Sequence, residues 1–473
     1  MSLLSLALPA LFLATTVLLG GTAAARDLHI DPSGQRDGSG TPLRDGEDTT
    51  VFRSLQAALE EAPLQGGERI FLHSGSYGDL VIEGQHPERP VSLQPAPDAQ
   101  VVADRLIVAN SSGWYISGLL IEPQTPIEVT PTEPDRGTPG FPSTLVQVGE
   151  ATRDIRLDGL TIRSAASIAG WGESEWIERA HHGVFLAGRD LQLRDSTIMH
   201  VRHAITATGQ GVRVEGNVID RFAEDAVRAL GDDGIYRGNT IKNCYSLYYH
   251  HDDGFQSWSR GADGSPGTGV VRNVEITGNR IINFEDPEQP YRCNLQGIGL
   301  FDGMYENWTI ANNLVVVDHF HGITVMGARG VKVVNNTVVD ARPGQPGAPW
   351  VTVVAHKDGR SGSGNLVANN LAASFNEGGF DARGFKLDPE ATTFTHNLRF
   401  EDARETFEAP ERGDFRLRAG SAAIDAASPD FTGPSEAGRP LGADPGPDLT
   451  VDLLGRARSH GAAPDVGAYE FLR

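Results

Sequence analysis

Six stretches share one pattern of apolar and polar positions: IRLDGLTI (155–162), LQLRDSTI (191–198), VRVEGNVI (212–219), VEITGNRI (274–281), WTIANNLV (308–315) and VKVVNNTV (331–338). Each is a short period-two alternation, a corner of small polar residues (Gly-Asn or Asn-Asn in four of the six), then a second alternation. Period two is the mark of a strand, and Asn and Gly tolerate the left-handed backbone of a sharp corner. The step from Leu191 to Val212 is 21 residues and from Trp308 to Val331 is 23. Longer steps, such as 39 from Ile235 to Val274, hold insertions rich in Gly, Pro and charge. A period in the low twenties with short strands predicts a β-solenoid rather than a propeller or a leucine-rich repeat. Asparagines stacked at one corner can pair their amides along the stack.

The ends depart from the repeat, as terminal coils should. SLQAALEEA (54–62) has helical spacing with a Ser to cap it, so a capping helix is expected there. Pro and Gly thicken beyond Ala409, and a tail that packs along the solenoid is expected, ending in DVGAYEF (465–471). The apolar run 3–19, followed by Thr22-Ala23-Ala24-Ala25, reads as a signal peptide at 1–25 and hence a secreted or periplasmic protein; a membrane anchor is the alternative. The remaining divisions are a cap with first coils at 26–90, the repeat at 91–408 and the tail at 409–473.

The cap, the coils and the DVGAYEF ending resemble secreted bacterial right-handed parallel β-helix proteins of the pectate-lyase-like superfamily. The resemblance covers nearly the whole mature chain and implies an all-β, right-handed parallel β-helix. Lyases, hydrolases, epimerases and non-enzymes share that fold, so activity has to be argued from the site.

Composition narrows the partners. With 40 basic and 62 acidic residues the net charge is −22, which disfavours nucleic acid. A polyanionic substrate would need local arginine or bound Ca²⁺. Cys244 and Cys293 are the only cysteines, so no disulfide framework holds the fold, although export permits one bond between them.

Upstream of each corner lies another short strand: HGVFL from His182, HAITA from His203, DAVRA from Asp225, DGFQS from Asp253, QGIGL from Gln296 and HGITV from His321. Aligned, their first residues form a polar column about 24 Å long at one strand spacing per coil. A corner column that only satisfied loops would favour Asn, Ser and Gly, so the histidines and aspartates here suggest a groove for an extended polymer. YYHHDDGFQSW (248–258) is the densest cluster, with Gln256 and Trp258 on one outer face and Arg228 beside Gln256.

The expected ligand is a polysaccharide, bound by a monomer without membrane attachment once the leader is cut. For a uronan lyase or C5-epimerase, Arg228, Gln256 or a Ca²⁺ held by Asp252, Asp253 and Asp233 would neutralise the sugar carboxylate. His203 or His251 would be the base, with Tyr249 or a second histidine as acid. Asp225 and Asp253 are further catalytic candidates, and His182, Trp258, Gln296 and His321 would contact substrate. An inverting hydrolase would instead use paired aspartates. Polygalacturonase-type hydrolases carry four motifs, of which this chain has only Gly231-Asp232-Asp233. A non-catalytic carbohydrate-binding solenoid is the third reading.

Overall fold

The computed structural model describes residues 26–33, 51–124, 143–247, 251–286, 288–344, 347–376, 391–431, 447–458 and 460–472. The leader expected at 1–25 lies outside them. Among the described residues, no helix is long and apolar enough to cross a membrane.

Three long parallel sheets run the length of the molecule, and each coil contributes a strand to each in turn. The first has fourteen strands and extends to Thr392–Thr395; the second has twelve, from Gly75–Ser76 to Leu398–Arg399; the third has eleven, from Asp79–Glu83 to Ser374–Phe375. The alternation seen in the sequence is the alternation of burial. Ile155 and Leu157, Leu193, Val214, Ile276, Ile310 and Val333 point into one continuous core that reaches from Leu28 to Ala372.

The corner between the first and second sheets works as its residue types predict. Gly159, Gly216, Gly238 and Gly278, then Asn312, Asn335 and Asn369, all carry positive φ. From Gly216 onward the following residue on successive coils is an asparagine: 217, 239, 279, 313, 336, 370 and 397. Each Nδ2 donates to the Oδ1 of the next at 2.9–3.0 Å, and all but Asn397 are completely buried. Asn279→Ala would strip the buried N–H and Nδ2 of Asn239 and the Tyr236 carbonyl of their partner. At roughly 1–3 kcal/mol for each orphaned group, a loss of about 3–5 kcal/mol is expected in urea unfolding.

Helix Leu55–Glu61 starts at Ser54, whose Oγ accepts the Ala57 N–H, and it buries Leu55, Ala58 and Leu59 against the first coils. The tail forms a hairpin, Phe407–Ala409 with Asp414–Leu417, which packs with Val466, Ala468 and Tyr469 on the outward side of Leu314, Val339 and Leu371. Further ties fix it across coils: Arg458 Nη2 donates to Asn312 Oδ1 at 2.9 Å, and Asn369 Nδ2 donates to the Ser428 carbonyl at 2.9 Å. The last coil strand ends at Arg399.

Loops between the second and third sheets carry an accessory cluster. Trp171, Trp176 of helix Glu173–Arg179, Tyr245 and Leu247 pack together, and a disulfide joins Cys244 to Cys293 beside them.

Candidate functional site

The strands of the polar column are consecutive in the third sheet, in the predicted register. Val184 pairs with Ile205, Ile205 with Val227, Val227 with Phe255, Phe255 with Ile298 and Ile298 with Ile323. His182, His203, Asp225, Asp253, Gln296 and His321 therefore stack. The small residue after each one explains its direction. A Cβ at Gly297 would lie 2.2 Å from the Gly322 carbonyl and 2.5 Å from a Val315 methyl, so this position faces the core. The residue before it faces out.

Facing out is not being exposed. Asp225 and Asp253 have no accessible surface, and Gln296 and His203 keep only 6% and 8%. The surface row is three residues further on, where Arg228 pairs with Gln256 and Gln256 with Gly299. Its side chains fold back on the column. Arg228 Nε bonds Asp225 Oδ2 at 2.7 Å, Gln256 Nε2 donates to Asp253 Oδ2 at 3.2 Å, and His321 Nδ1 meets Thr324 Oγ1 at 2.9 Å.

At one end His182 and His203 stack, with centroids 4.9 Å apart. Each Nδ1 accepts a main-chain N–H from the next coil, from His203 at 3.3 Å and from Asp225 at 3.2 Å. His203 Nε2 lies 2.5 Å from Glu224 Oε2, and Glu224 Oε1 accepts from Arg202 Nε and Nη2 at 2.8 and 2.6 Å. Both nitrogens of His203 are thus engaged, which removes it as a free base. Arg202 and Glu224 are each 1% exposed. Sequence reading missed this pair; each stands one residue before a column member, a position whose own column was never compared.

His182, His203 and Glu224 bring ligand atoms within 4.8 Å of one another. A metal-bound imidazole normally donates from its other nitrogen. Here that nitrogen accepts, so the pattern fits neutral Nε2–H rings and a proton shared with Glu224 better than a metal. Burial, then the neighbouring His203, holds the His182 imidazole well below its ordinary range.

In the centre, Asp253 is pushed well above the usual carboxylate range, first by burial and then by Asp225, against the opposing Gln256 hydrogen bond. Beside it, Asp225 Oδ2 accepts from Arg228 Nε. Asp253 Oδ1 and Gln296 Oε1 have no hydrogen-bond partner among the described residues.

At the far end Phe301, His319, Phe320, His321 and Trp350 form an aromatic group, with His319 and His321 stacked at 5.0 Å and Phe320 and Trp350 at 4.7 Å. Burial lowers His319 to about 4 and His321 to about 3, with His251 contributing to both. His251 is itself exposed. Trp258 stacks with Arg260 at 4.8 Å. Tyr249 lies outside the described residues.

The carboxylates named for Ca²⁺ do not come together. Asp252 is buried against the disulfide, whereas Asp233 lies past the other end of strand Val227–Ala229, bonded to Gln210 and Asn273. This set does not fit a calcium ion. A cleft of about 850 Å³ lies between the second sheet and the tail, lined by Arg280, Phe284, Arg292, Asp340, Arg404 and Phe415 among others, away from the column.

The family described as "Right handed beta helix region" matches residues 182–345. No curated protein matches this sequence. Solved structures align at low identity. They include pectate lyase Pel9A (14% identity, 95% of this chain and 97% of that one, TM-score 0.42). The A-module of mannuronan C-5 epimerase AlgE6 of Azotobacter vinelandii aligns at 16% identity over 73% of this chain and 94% of its own, TM-score 0.43. XylC in complex with xylose aligns at 11% over 95% and 99%, TM-score 0.44. Stacked parallel sheets, the corner ladder and the matched repeat region together make this chain a right-handed parallel β-helix.

Proposed function

We propose that the chain is a carbohydrate-active β-helix that holds an extended polysaccharide along its third sheet and acts on uronic-acid units, by β-elimination or C5-epimerisation. The observation that carries this reading is the buried Asp225–Asp253 pair, in which Arg228 donates to Asp225 while burial and then Asp225 raise Asp253 well above the usual carboxylate range. A buried carboxyl raised in this way beside a second one is the usual acid–base machinery of an active site.

Arg228 and Gln256, adjacent on the surface row, would face the uronate carboxylate and stabilise the charge that builds there. His251, exposed two residues before Asp253, would take the C5 proton. In elimination the C–H electron pair becomes the C4–C5 double bond, the C4–O4 bond breaks, and Asp253 gives its proton to the departing oxygen. In epimerisation the proton returns to C5 from the opposite face. The aromatic group at the far end offers stacking for neighbouring sugar rings. Secretion through the N-terminal leader belongs to the same proposal.

A hydrolase is less well supported. Adjacent coils set the two aspartates about 4.8 Å apart along the sheet, short of the roughly 6.5–9.5 Å that an inverting pair needs. The aromatic group by itself would also suit a binding solenoid without activity. Purified protein incubated with polymannuronate, polygalacturonate and neutral xylan decides among these. Rising absorbance at 235 nm marks elimination, and exchange of the C5 proton with solvent marks epimerisation. New reducing ends without absorbance would sink both in favour of hydrolysis, and binding without chemistry would leave the solenoid reading.

A further inference from the structure

Along the column, each side chain at the centre and far end is answered by the one three residues later, with a single gap. Asp225 has Arg228, Asp253 has Gln256 and His321 has Thr324. The coil between has Gln296 followed by Gly299, which offers no side chain. The row three residues on is notched there, between Gln256 on one neighbouring coil and Thr324 on the other.

Two buried polar atoms are left over at this notch. Gln296 Oε1 lacks the partner its own coil would supply, and Asp253 Oδ1 lacks one as well. Asp253 Oδ1 points at the gap, since a Cβ on Gly299 would lie 2.6 Å from it. The Phe301 ring covers the same spot, 2.2 Å from that Cβ position. Phe301 is only partly buried and belongs to the aromatic group, so its ring has solvent to swing into. Buried polar atoms without partners are costly, on the order of 1–3 kcal/mol each. A column that satisfies every other coil has left this one open.

We propose that the Gly299 notch is the subsite that receives a ligand hydroxyl or glycosidic oxygen, with Asp253 Oδ1 and Gln296 as its two partners and Phe301 as the ring that moves aside to admit it. This rests on the polysaccharide reading and adds to it a specificity-determining position. The chemistry of the two partners is complementary. Gln256 occupies Asp253 Oδ2, so the proton of the neutral acid sits on Oδ1 and is donated. The Gln296 amide accepts, or donates if turned about. A sugar hydroxyl, donor and acceptor at once, answers either orientation. A glycosidic oxygen in the same place would lie in line for the Asp253 proton.

The test is Gln296→Leu, which keeps the volume and deletes the orphaned Oε1. Thermal unfolding and calorimetric titration with hexamers of mannuronate, galacturonate and xylose are measured on this variant and the parent. If Gln296 awaits a ligand, the variant unfolds no earlier than the parent, yet binds the preferred hexamer about tenfold more weakly, one hydrogen bond's worth. Undiminished affinity in a folded Gln296→Leu protein overturns the subsite while leaving the polysaccharide reading intact. A parent protein that binds none of the hexamers overturns both. Should Gln296→Leu fail to fold, Gly299→Ser serves instead: its side chain fills the notch, displacing the Phe301 ring and pressing on Asp253 Oδ1, and retained binding overturns the proposal.

Discussion

Asp253→Asn is expected to lower turnover by about 10²–10⁴-fold with little change in substrate affinity, the usual worth of a positioned proton donor. Asparagine keeps the shape and can still accept from Gln256, but it has no proton to give. Steady-state rates at 235 nm, or C5 exchange rates for an epimerase, measure the loss directly. A variant with parental turnover would remove Asp253 from the chemistry.

The same substitution carries a second, independent signature in pH. Burial and Asp225 raise Asp253 above its unfolded value of roughly 3.9. The stability contributed by its proton is complete below that value and is lost as pH rises through the raised one. An asparagine in its place does not titrate and has nothing to lose. The variant should therefore gain in thermal midpoint relative to the parent as pH increases, and the alkaline fall in parental activity should steepen over the same interval. A midpoint difference independent of pH would contradict a neutral Asp253.

The largest effect on stability is expected at Glu224. Glu224→Ala removes the two hydrogen bonds that its carboxylate accepts from Arg202, which is 1% exposed, and the contact with His203 Nε2. Breaking one side of a buried pair typically costs about 3–5 kcal/mol. The double change Arg202→Met with Glu224→Leu removes both charges and should recover most of that loss, because the cost lies in a buried charge that has lost its opposite rather than in the absence of a bond. Urea unfolding of the parent, single and double variants completes the cycle. Equal midpoints for Glu224→Ala and the parent would mean that water reaches Arg202.

The coils were legible because their signals are local and repeated. Alternation, a left-handed corner and an asparagine recur often enough that IRLDGLTI and VKVVNNTV can be laid over one another, and the small residue after each column member fixed the register of the third sheet. Depth was not legible. Asp225 and Asp253 read as groove floor, but whether Arg228 and Gln256 lie over them depends on rotamers that no pattern encodes. Arg202 and Glu224 look like surface charges in one dimension, and become a buried pair only when neighbouring coils are superposed one position upstream. Asp233 was grouped with Asp252 and Asp253 through its acidity, although a strand's length separates them. Cys244 and Cys293 could be put on neighbouring coils, whereas their bonding waited on geometry.

The tail changes how the solenoid would bear load. Tyr469 with Arg280, Arg458 with Asn312, Ala468 with Thr337 and Ser428 with Asn369 lash four successive coils from outside. Coils upstream of this lashing are joined chiefly to their immediate neighbours, and under tension from the N-terminal end they would peel off singly, each releasing one repeat's length of chain. The lashed coils cannot follow that sequence, because none is free until the tail has detached from all of them.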